Sequence, residues 1–436
     1  MTERQSDHLN ELLNDPAFLR GLTMRRMSRR DLIRSAGIGA GAISMGAILA
    51  ACGGTSGGGG SGGGDGGGDG GGDGGGGDGG IDWNAEPNGT LMFANWPLYI
   101  DKKKVNGVVT YPSLEGFTAD SGIEVTYREA INSNPEFFGK IQPQLAAGQS
   151  TGWDIIVITN GDTLNQLLRL NYLVELPTDK RPNFDANASV AVKDPAYDPG
   201  NAFTMAWQSG LTGIGWDPVQ VKALRPEKPE ITSVMDLFDP AFEGKVGMFG
   251  DNADLPGLVM VGMGVDPATS TPDDWQAAAD LLQQQKDDGI VRQYFTQNYT
   301  NALQNGDVAL SMAWSGDIFQ LNLEGDVSGL QFTIPDEGVI IWTDNMCIPL
   351  GAENPVDAIT YMDYVYQPDV QAVIEEYVNY ICPVPAARDV IDPSLADSPL
   401  IFPTEEDLAK TRTYYDFKTP EEQSEWNALF QPIYQG

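Results

Sequence analysis

The chain has 436 residues, and its 61 Asp and Glu outnumber its 26 Lys and Arg to give a formal net charge of −35. Such a charge repels nucleic acids and anionic substrates, which are therefore disfavoured partners, whereas a cationic ligand is favoured. General solubility or adaptation to salt would explain the same charge equally well. The single histidine, His8, lies near the N-terminus. The rest of the chain therefore forms neither a Ser–His or Cys–His nucleophile pair nor a histidine-based metal site.

Residues 1–52 have the features of a bacterial export signal. Arg29 and Arg30 precede a Gly- and Ala-rich apolar stretch that ends in Leu-Ala-Ala-Cys at Cys52. Twin arginines before such a stretch are typical of twin-arginine export, and the stretch is shorter than the ~20 residues that span a bilayer. Its end resembles the lipobox of bacterial lipoproteins, which implies that Cys52 is lipidated and becomes the new N-terminus. The alternative is an uncleaved, weakly apolar N-terminal helix.

Residues 53–80 are almost all glycine, with Asp, Ser and Thr between the glycines. A segment of this composition cannot bury apolar surface and is predicted to be flexible. Its r.m.s. reach is about 30 Å, from ~5–6 Å times the square root of its length. We expect it to act as a tether that holds a folded domain off a membrane surface.

The remaining segment, 81–436, is longer than the ~250–300 residues that usually share one core, so two lobes are expected. Two cysteines remain in it, Cys347 and Cys382. A disulfide between them would be stable outside the cytoplasm, and the alternative is two buried thiols.

Short β-like runs alternate with helical periods along this segment. The nearly continuous apolar run 153–158 is typical of a strand covered on both faces, and the run 122–127 alternates in polarity as a half-buried strand does. Capping residues and early prolines predict further helices. These helices are predicted to begin near Asp162, Thr271 and Asn354. The alternation predicts α/β lobes with largely parallel sheets.

In open α/β sheets, ligands bind beyond the carboxyl ends of the strands. Aromatic rings and polar side chains recur where the predicted strands 91–93, 154–158, 308–312 and 337–341 end. The residues at these ends are Trp96, Tyr99, Thr159, Trp314, Trp342 and Asp344.

Several segments, in this order and spacing, resemble the spermidine/putrescine-binding proteins of bacterial ABC importers over residues 89–436. They include FANWPLYI, GWDIIVIT, DVALSMAWSGD, DEGVIIWTDNMCIP and NYICPVPAAR. The resemblance implies the two-lobed α/β periplasmic-binding-protein fold of type II, with a ligand cleft between the lobes. It implies no catalysis, cofactor or metal, and a permease of an ABC transporter as partner. We expect a monomer on the outer face of the cell membrane, anchored through lipid on Cys52.

The order of the matching segments gives the lobe boundaries. Lobe one is predicted to hold 81–206 and 344–388, and lobe two to hold 207–343 and 389–436. Lobe closure around the ligand is the expected motion.

The resemblance also implies the roles of individual residues. Rings flank the methylene chain of a polyamine and attract its charges through their π faces, while a carboxylate pairs an ammonium group. The implied ligand-binding residues are Trp96, Tyr99, Thr159, Trp314, Trp342, Asp344, Tyr380 and Gln431.

The sequence departs from the family at three positions. A second aromatic, two residues after Thr159, is replaced by Gly161, and the acids of an Asp-x-x-Glu pair align with Asn252 and Leu255. Neighbouring acids that could supply the missing charge are Asp251, Asp254 and Asp317.

Two other functions remain open at this point. A binding protein for another small solute, such as a sugar or a different amine, would also use aromatic rings. A secreted glycosidase-like enzyme would need two acids, which this acidic chain has in abundance. Iron binding through paired tyrosines is disfavoured, because no adjacent tyrosine pair accompanies a histidine.

Overall fold

The computed structural model describes residues 80–105, 107–296, 298–323 and 329–435. The predicted export signal with Cys52, and the predicted tether up to residue 79, lie outside the described residues. Within those ranges, no helix has both the length and the apolar composition needed to cross a bilayer.

The chain alternates strands and helices, as the sequence predicts. The strands are β1 (Thr90–Asn95), β2 (Lys103–Val105), β3 (Val108–Thr110), β4 (Glu124–Glu129), β5 (Ile155–Thr159), β6 (Met205–Trp216), β7 (Val246–Phe249), β8 (Val291–Phe295), β9 (Leu310–Trp314), β10 (Gln331–Thr333), β11 (Val339–Cys347) and β12 (Thr411–Arg412). The α-helices are α1 (Pro112–Ser121), α2 (Asn134–Ala146), α3 (Asp162–Arg169), α4 (Pro182–Asn187), α5 (Pro218–Leu224), α6 (Asp254–Gly262), α7 (Pro272–Asp287), α8 (Tyr299–Gln304), α9 (Ser315–Leu323), α10 (Pro355–Tyr364), α11 (Pro368–Val378), α12 (Pro393–Ala396), α13 (Glu405–Ala409) and α14 (Pro420–Gln435).

The helix starts predicted from capping residues are confirmed. Helix α7 begins with Pro272, and the Asp274 carboxylate accepts hydrogen bonds from the backbone N–H and hydroxyl of Thr271. Helices α3 and α10 begin at Asp162 and Pro355. At α7 and α10 a proline in the first turn removes a backbone donor that this turn would leave without a partner, whereas α3 starts after Gly161 without a side-chain cap.

Most strands belong to one sheet in the order β4-β1-β5-β11-β6-β9-β7-β8, with β10 beside β6 and β12 beside β11. Strand β1 is parallel to β4 and β5, and β7 is parallel to β8 and β9. Strand β5 is buried along the run predicted to be covered on both faces. The outer parts of the sheet are therefore parallel, as alternating strands and helices predict.

The middle of the sheet is antiparallel, so the prediction of largely parallel sheets is wrong there. Strand β11 runs antiparallel to both β5 and β6, and β6 runs antiparallel to β9. A helical crossover predicts the orientation of strands that follow each other in the chain. Strand β11 comes from a part of the chain far from β5 and β6, so no single crossover fixes its direction relative to either of them.

Strand β11 is also longer than predicted. Trp342 and Asp344 were expected after a strand that ends at Ile341, but both lie inside β11, which continues to Cys347. Polar residues persist in this strand because β5 and β6 pair with its two edges and satisfy its backbone. The pairing with β6 shifts register between Asp344 and Asn345, an irregularity of the kind that redirects side chains beside functional sites.

The apolar core divides into clusters on different stretches of the chain. One cluster gathers buried side chains between 214 and 340 and between 417 and 433. Another gathers side chains between 91 and 207 and between 346 and 401. The predicted lobe boundaries remain predictions.

Cys347 and Cys382 are both buried as free thiols. The alternative of two buried thiols is therefore confirmed, and the possible disulfide between them is wrong. Burial raises the pKa of both thiols well above the ordinary value, which keeps them protonated.

Candidate functional site

Asp344 lies in the middle of the sheet, opposite Thr159 of β5 and Gln208 of β6. Only 5% of its surface is exposed. The Tyr99 hydroxyl donates a hydrogen bond of 2.7 Å to one carboxylate oxygen, and the Thr159 hydroxyl donates one of 2.5 Å to the other. Three predicted site residues from distant segments are thus brought together.

Burial raises the pKa of Asp344 to about 6, although the hydrogen bonds from Thr159 and Tyr99 lower it. The pKa of Tyr99 is raised well above its ordinary value, first by burial and then by the charge of Asp344. The phenol therefore remains a hydrogen-bond donor. An ionised Asp344 in this place lacks the full hydration that it would have in water, so a cation that reached it would be attracted strongly.

Tyr99 is fixed by the turn that follows β1. Its backbone carbonyl accepts hydrogen bonds from the Asn95 side chain and from the indole N–H of Trp207. Trp96 is half-buried beside it, and its indole N–H donates to the backbone carbonyl of Val157 at 3.1 Å. The turn therefore anchors both aromatic residues that follow β1.

Three rings form an aromatic wall next to Asp344, made of Tyr99, Tyr380 and Trp342. The ring of Tyr380 lies 5.7 Å from that of Tyr99 and 5.4 Å from that of Trp342, measured between centroids. Glycines permit this approach. A Cβ at Gly316 would lie 2.7 Å from the Tyr380 ring, and a Cβ at Gly210 would overlap the Trp342 ring.

The indole nitrogen of Trp342 is buried and has no hydrogen-bond partner within the described part of the chain. A buried N–H without a partner is costly, so such groups usually have an explanation in the function of a site. It is an available donor on the residue two positions before Asp344 in β11.

Asp317 contacts the aromatic wall through the hydroxyl group of Tyr380. Its carboxylate accepts a hydrogen bond of 3.1 Å from the Tyr380 hydroxyl and one of 2.7 Å from the Tyr299 hydroxyl. The Tyr299 oxygen in turn accepts from the backbone N–H of Trp314, the last residue of β9. Tyr380 and Trp314 are therefore connected through Asp317 and Tyr299.

Asp254, at the start of α6, accepts hydrogen bonds from three side chains. The donors are the Thr212 hydroxyl at 2.8 Å, the Trp314 indole N–H at 3.1 Å and the Tyr414 hydroxyl at 2.7 Å. Burial raises the pKa of Asp254 despite these donors. Burial and the neighbouring charge of Asp254 also raise the pKa of Asp251.

Asp344 and Asp254 are held by uncharged donors alone. The ion pairs found among the described residues reach neither of them. Nor do the described residues contain a group of three or more His, Cys, Asp or Glu placed to hold a metal ion. The arrangement is therefore one of buried negative charge inside an aromatic and hydroxyl lining.

The structure does not connect every candidate to this network. Leu255 is fully buried in the apolar core, and Asn252 accepts a hydrogen bond from the Tyr434 hydroxyl. Gln431 lies half-buried on α14, and within the described chain no hydrogen bond joins it to the other predicted site residues. Its role as a ligand-binding residue remains a prediction.

Sequence reasoning missed two tyrosines of the network, Tyr299 and Tyr414. Tyr414 follows β12, and its ring lies 3.5 Å from the position that a Cβ of Gly161 would take. Tyr299 follows β8 closely. Both come after strands, so the rule that selected the other aromatics would have found them if β8 and β12 had been predicted.

Two relatives with known names resemble this chain over most of their length. The putrescine-binding periplasmic protein PotF of Escherichia coli is 29% identical over 342 residues, which cover 76% of this chain and 87% of PotF. The putrescine-binding periplasmic protein SpuD of Pseudomonas aeruginosa is 27% identical over 342 residues, which cover 76% of this chain and 88% of SpuD.

Solved structures share the fold. A spermidine/putrescine ABC transporter substrate-binding protein, PotD, from Streptococcus pneumoniae matches with a TM-score of 0.67 and 22% identity over 79% of this chain and 98% of its own. A putative spermidine/putrescine ABC transporter protein from Listeria monocytogenes matches with a TM-score of 0.65 and 24% identity over the same shares. The mixed α/β architecture is therefore that of periplasmic substrate-binding proteins.

The profile of one protein family, described as bacterial extracellular solute-binding protein, matches residues 113–404. This match covers more than half of the chain and includes Thr159, Asp254, Trp314, Asp317, Asp344 and Tyr380. The chain belongs to the family of bacterial extracellular solute-binding proteins.

Proposed function

We propose that this protein captures a polyamine, of the spermidine or putrescine type, outside the cytoplasm and delivers it to the permease of an ABC importer. The observation that supports the proposal most strongly is the set of buried carboxylates without a cationic partner. Asp344 and Asp254 receive hydrogen bonds only from neutral hydroxyl and indole groups. Ammonium groups would complete both sites with the positive charge that the protein does not provide.

The aromatic wall suits the rest of such a ligand. A polyamine alternates methylene segments with charges, and the rings of Tyr99, Tyr380 and Trp342 offer both apolar area and negative π faces. A cation over such a face gains roughly 0.5–2 kcal/mol. A charge-assisted hydrogen bond to a carboxylate adds roughly 1.5–3 kcal/mol.

The printed names of the relatives agree with this ligand class. PotF and SpuD are named putrescine-binding, and another relative from Escherichia coli, 26% identical, is named spermidine/putrescine-binding. Family membership makes this chain a solute-binding protein and not an enzyme. A neutral sugar as ligand is less well supported, because it would leave the charges of Asp344 and Asp254 unbalanced.

The proposed delivery route also includes features that are predicted from the sequence. In it, lipid on Cys52 anchors a monomer, the segment 53–80 lets the domain reach the permease, and two lobes close around the ligand. The lobes are those predicted from the sequence, 81–206 with 344–388 and 207–343 with 389–436.

Native mass spectrometry of the full chain, purified without added ligand, tests the ligand class. We expect an added mass equal to a polyamine, which excess putrescine or spermidine replaces and a neutral sugar does not. A co-purified sugar, or an added mass that neither amine displaces at millimolar concentration, would overturn the proposal.

A further inference from the structure

A buried acid lies behind the aromatic wall and is not part of the proposed contacts with the ligand. Glu375, on α11, has no exposed surface, and neither of its carboxyl oxygens makes a well-formed hydrogen bond in the described chain. An ionised carboxylate in such a place would cost a large part of the free energy that folding provides unless a cation accompanied it.

Uncharged polar groups surround Glu375. The Gln208 amide and the backbone N–H of Tyr380 face the carboxyl and lower its pKa, but burial raises the pKa more and prevails. Gln371, one helical turn earlier on α11, is also buried, and the amide nitrogens of both glutamines are without a hydrogen-bond partner among the described residues. Carboxyl and amide groups are therefore collected in one place behind the wall.

Two titratable groups near Glu375 in the described part of the chain are neutral at physiological pH. They are the Tyr99 phenol and the Cys382 thiol, and Glu375 contributes to raising the pKa of each. The described ion pairs give Glu375 no lysine or arginine partner. The next residue, Glu376, is exposed and accepts a backbone hydrogen bond from Asp392.

Glu375 is linked to the candidate site on two sides. Gln208 lies opposite Asp344 in the pairing of β6 with β11. The backbone of Tyr380 faces Glu375, while its ring contacts the rings of Tyr99 and Trp342. A charge on Glu375 would therefore act at the base of the same aromatic wall that is proposed to enclose the ligand.

We propose that Glu375 is a neutral carboxylic acid in the folded protein, and that together with Gln208 it forms a buried polar floor that positions Tyr380, whose ring contacts that of Tyr99, for ligand binding. Glu375 is thus a positioning residue and does not touch the ligand. The part of this inference that concerns ligand affinity rests on the proposed function, whereas the neutral state of Glu375 does not.

The sign of the pH effect follows from proton binding. Glu375 loses its proton near the ordinary pKa of glutamate in the unfolded chain, and only at higher pH in the folded chain. Between these two pKa values the folded state holds one more proton than the unfolded state. The equilibrium constant for folding therefore falls by up to tenfold for each unit by which the pH rises. Glu375→Gln removes this loss, whereas Glu376→Gln does not.

The first measurement is the unfolding equilibrium of the ligand-free full chain in denaturant between pH 5 and pH 9. We expect Glu375→Gln to become increasingly more stable than the wild type as pH rises, while Glu376→Gln follows the wild type. The claim that Glu375 is neutral would be overturned if the stability of Glu375→Gln had the same pH dependence as that of the wild type, or if the variant were less stable at every pH. This measurement needs no ligand.

The second measurement is spermidine affinity over pH 6 to 9 by titration calorimetry. We expect the affinity of the wild type and of Glu376→Gln to diverge from that of Glu375→Gln at the alkaline end, where Glu375 begins to ionise. At pH 7 the affinity of Glu375→Gln should lie within threefold of the wild type. Glu375→Leu, which keeps size but no polar group, should bind at least tenfold more weakly.

Identical pH profiles for the wild type and Glu375→Gln would overturn the positioning role, as would wild-type affinity in Glu375→Leu. If Glu375→Leu does not fold, the comparison of the two pH profiles decides alone. A wild type that binds neither spermidine nor putrescine would refute the proposed function and the positioning role together, but not the neutral state tested by unfolding.

Discussion

The phenol of Tyr99 donates a 2.7 Å hydrogen bond to the carboxylate of Asp344, a residue 245 positions further along the chain. Both groups are buried, and the second carboxylate oxygen of Asp344 accepts from the Thr159 hydroxyl. The carboxylate of Asp344 is thus hydrogen-bonded by two neutral hydroxyl groups, and no cationic side chain of the described chain neutralises its charge. This arrangement has consequences for stability, pH dependence and ligand choice that can be measured separately.

The first prediction is that Asp344→Asn stabilises the ligand-free protein at neutral pH. Burial raises the pKa of Asp344 from 3.8 to about 6, so the folded wild type binds the extra proton between these values and loses stability as pH rises through that window. Asparagine has no such loss. Above pH 6 the free energy of unfolding of the variant should therefore exceed that of the wild type by about 2–3 kcal/mol, from ~1.4 kcal/mol per pKa unit. Denaturant unfolding at pH 4 and pH 7.5 measures it.

Asp357→Asn is the matched control for this substitution. Asp357 is also fully buried, but its carboxylate accepts hydrogen bonds from the backbone N–H groups of Asn88, Gly89 and Thr90. An amide offers one acceptor oxygen, so the control should be destabilised by roughly 1–3 kcal/mol. Equal destabilisation of both variants at pH 7.5 would show that Asp344 is a structural acid like Asp357.

The second prediction is that amine affinity falls in acid. A bound ammonium group favours the ionised form of Asp344, so the affinity for an amine should be constant between about pH 7 and pH 7.5 and decrease by up to tenfold per pH unit below about pH 6. Titrations with spermidine at pH 5, 6 and 7.5 check this. Asp344→Asn should show a shallower dependence, because burial also raises the pKa of Asp254 and Asp251. An affinity that does not change down to pH 5 would contradict the ion pair.

The third prediction concerns the wall and not the charge. A Cβ at Gly210 would overlap the Trp342 ring, so Gly210→Ala should displace that ring and weaken amine binding by tenfold or more. The control is Gly139→Ala on α2, where a Cβ would meet no atom within 4 Å. Because alanine favours helix, the control should stabilise the protein by up to ~1 kcal/mol and leave affinity unchanged. Wild-type affinity in Gly210→Ala would remove Trp342 from the ligand site.

The fourth prediction concerns export. Replacing Arg29 and Arg30 by lysine should stop export through the twin-arginine route, and Cys52→Ala should release the protein from the membrane in soluble form. Cell fractionation with immunoblotting distinguishes the two effects. If both variants fractionate as the wild type does, neither the export signal nor the lipid anchor is as predicted.

The predictable part of the fold came from patterns that are local in the chain. Strand β5 and the start of α7 were evident because an apolar run and a capping box each depend on a few consecutive residues. The direction of β11 was not evident, since its partners β5 and β6 lie far away in sequence. Long-range pairing also explains why the polar residues Thr343 and Asp344 continue a strand that their composition alone predicts to end at Ile341.

The site was predictable to a similar extent. Tyr99, Thr159 and Asp344 were selected from their positions near strand ends and from the resemblance, and the structure brings them into direct contact. The contribution of Asp254 does not follow from the sequence, because spacing alone does not show which side chains of a helix start face the sheet. Its three donors come from β6, β9 and the segment after β12, a convergence that only the folded chain displays.

Titration calorimetry of the full-length wild type and of Asp344→Asn with spermidine, at pH 7.5, tests cation recognition most directly. We expect the wild type to bind and the variant to lose about 2–5 kcal/mol of binding free energy, which is ~30-fold or more in affinity. A neutral sugar should give no binding heat with either protein. Spermidine affinity in Asp344→Asn within threefold of the wild type, or no spermidine binding by the wild type at all, would contradict the account.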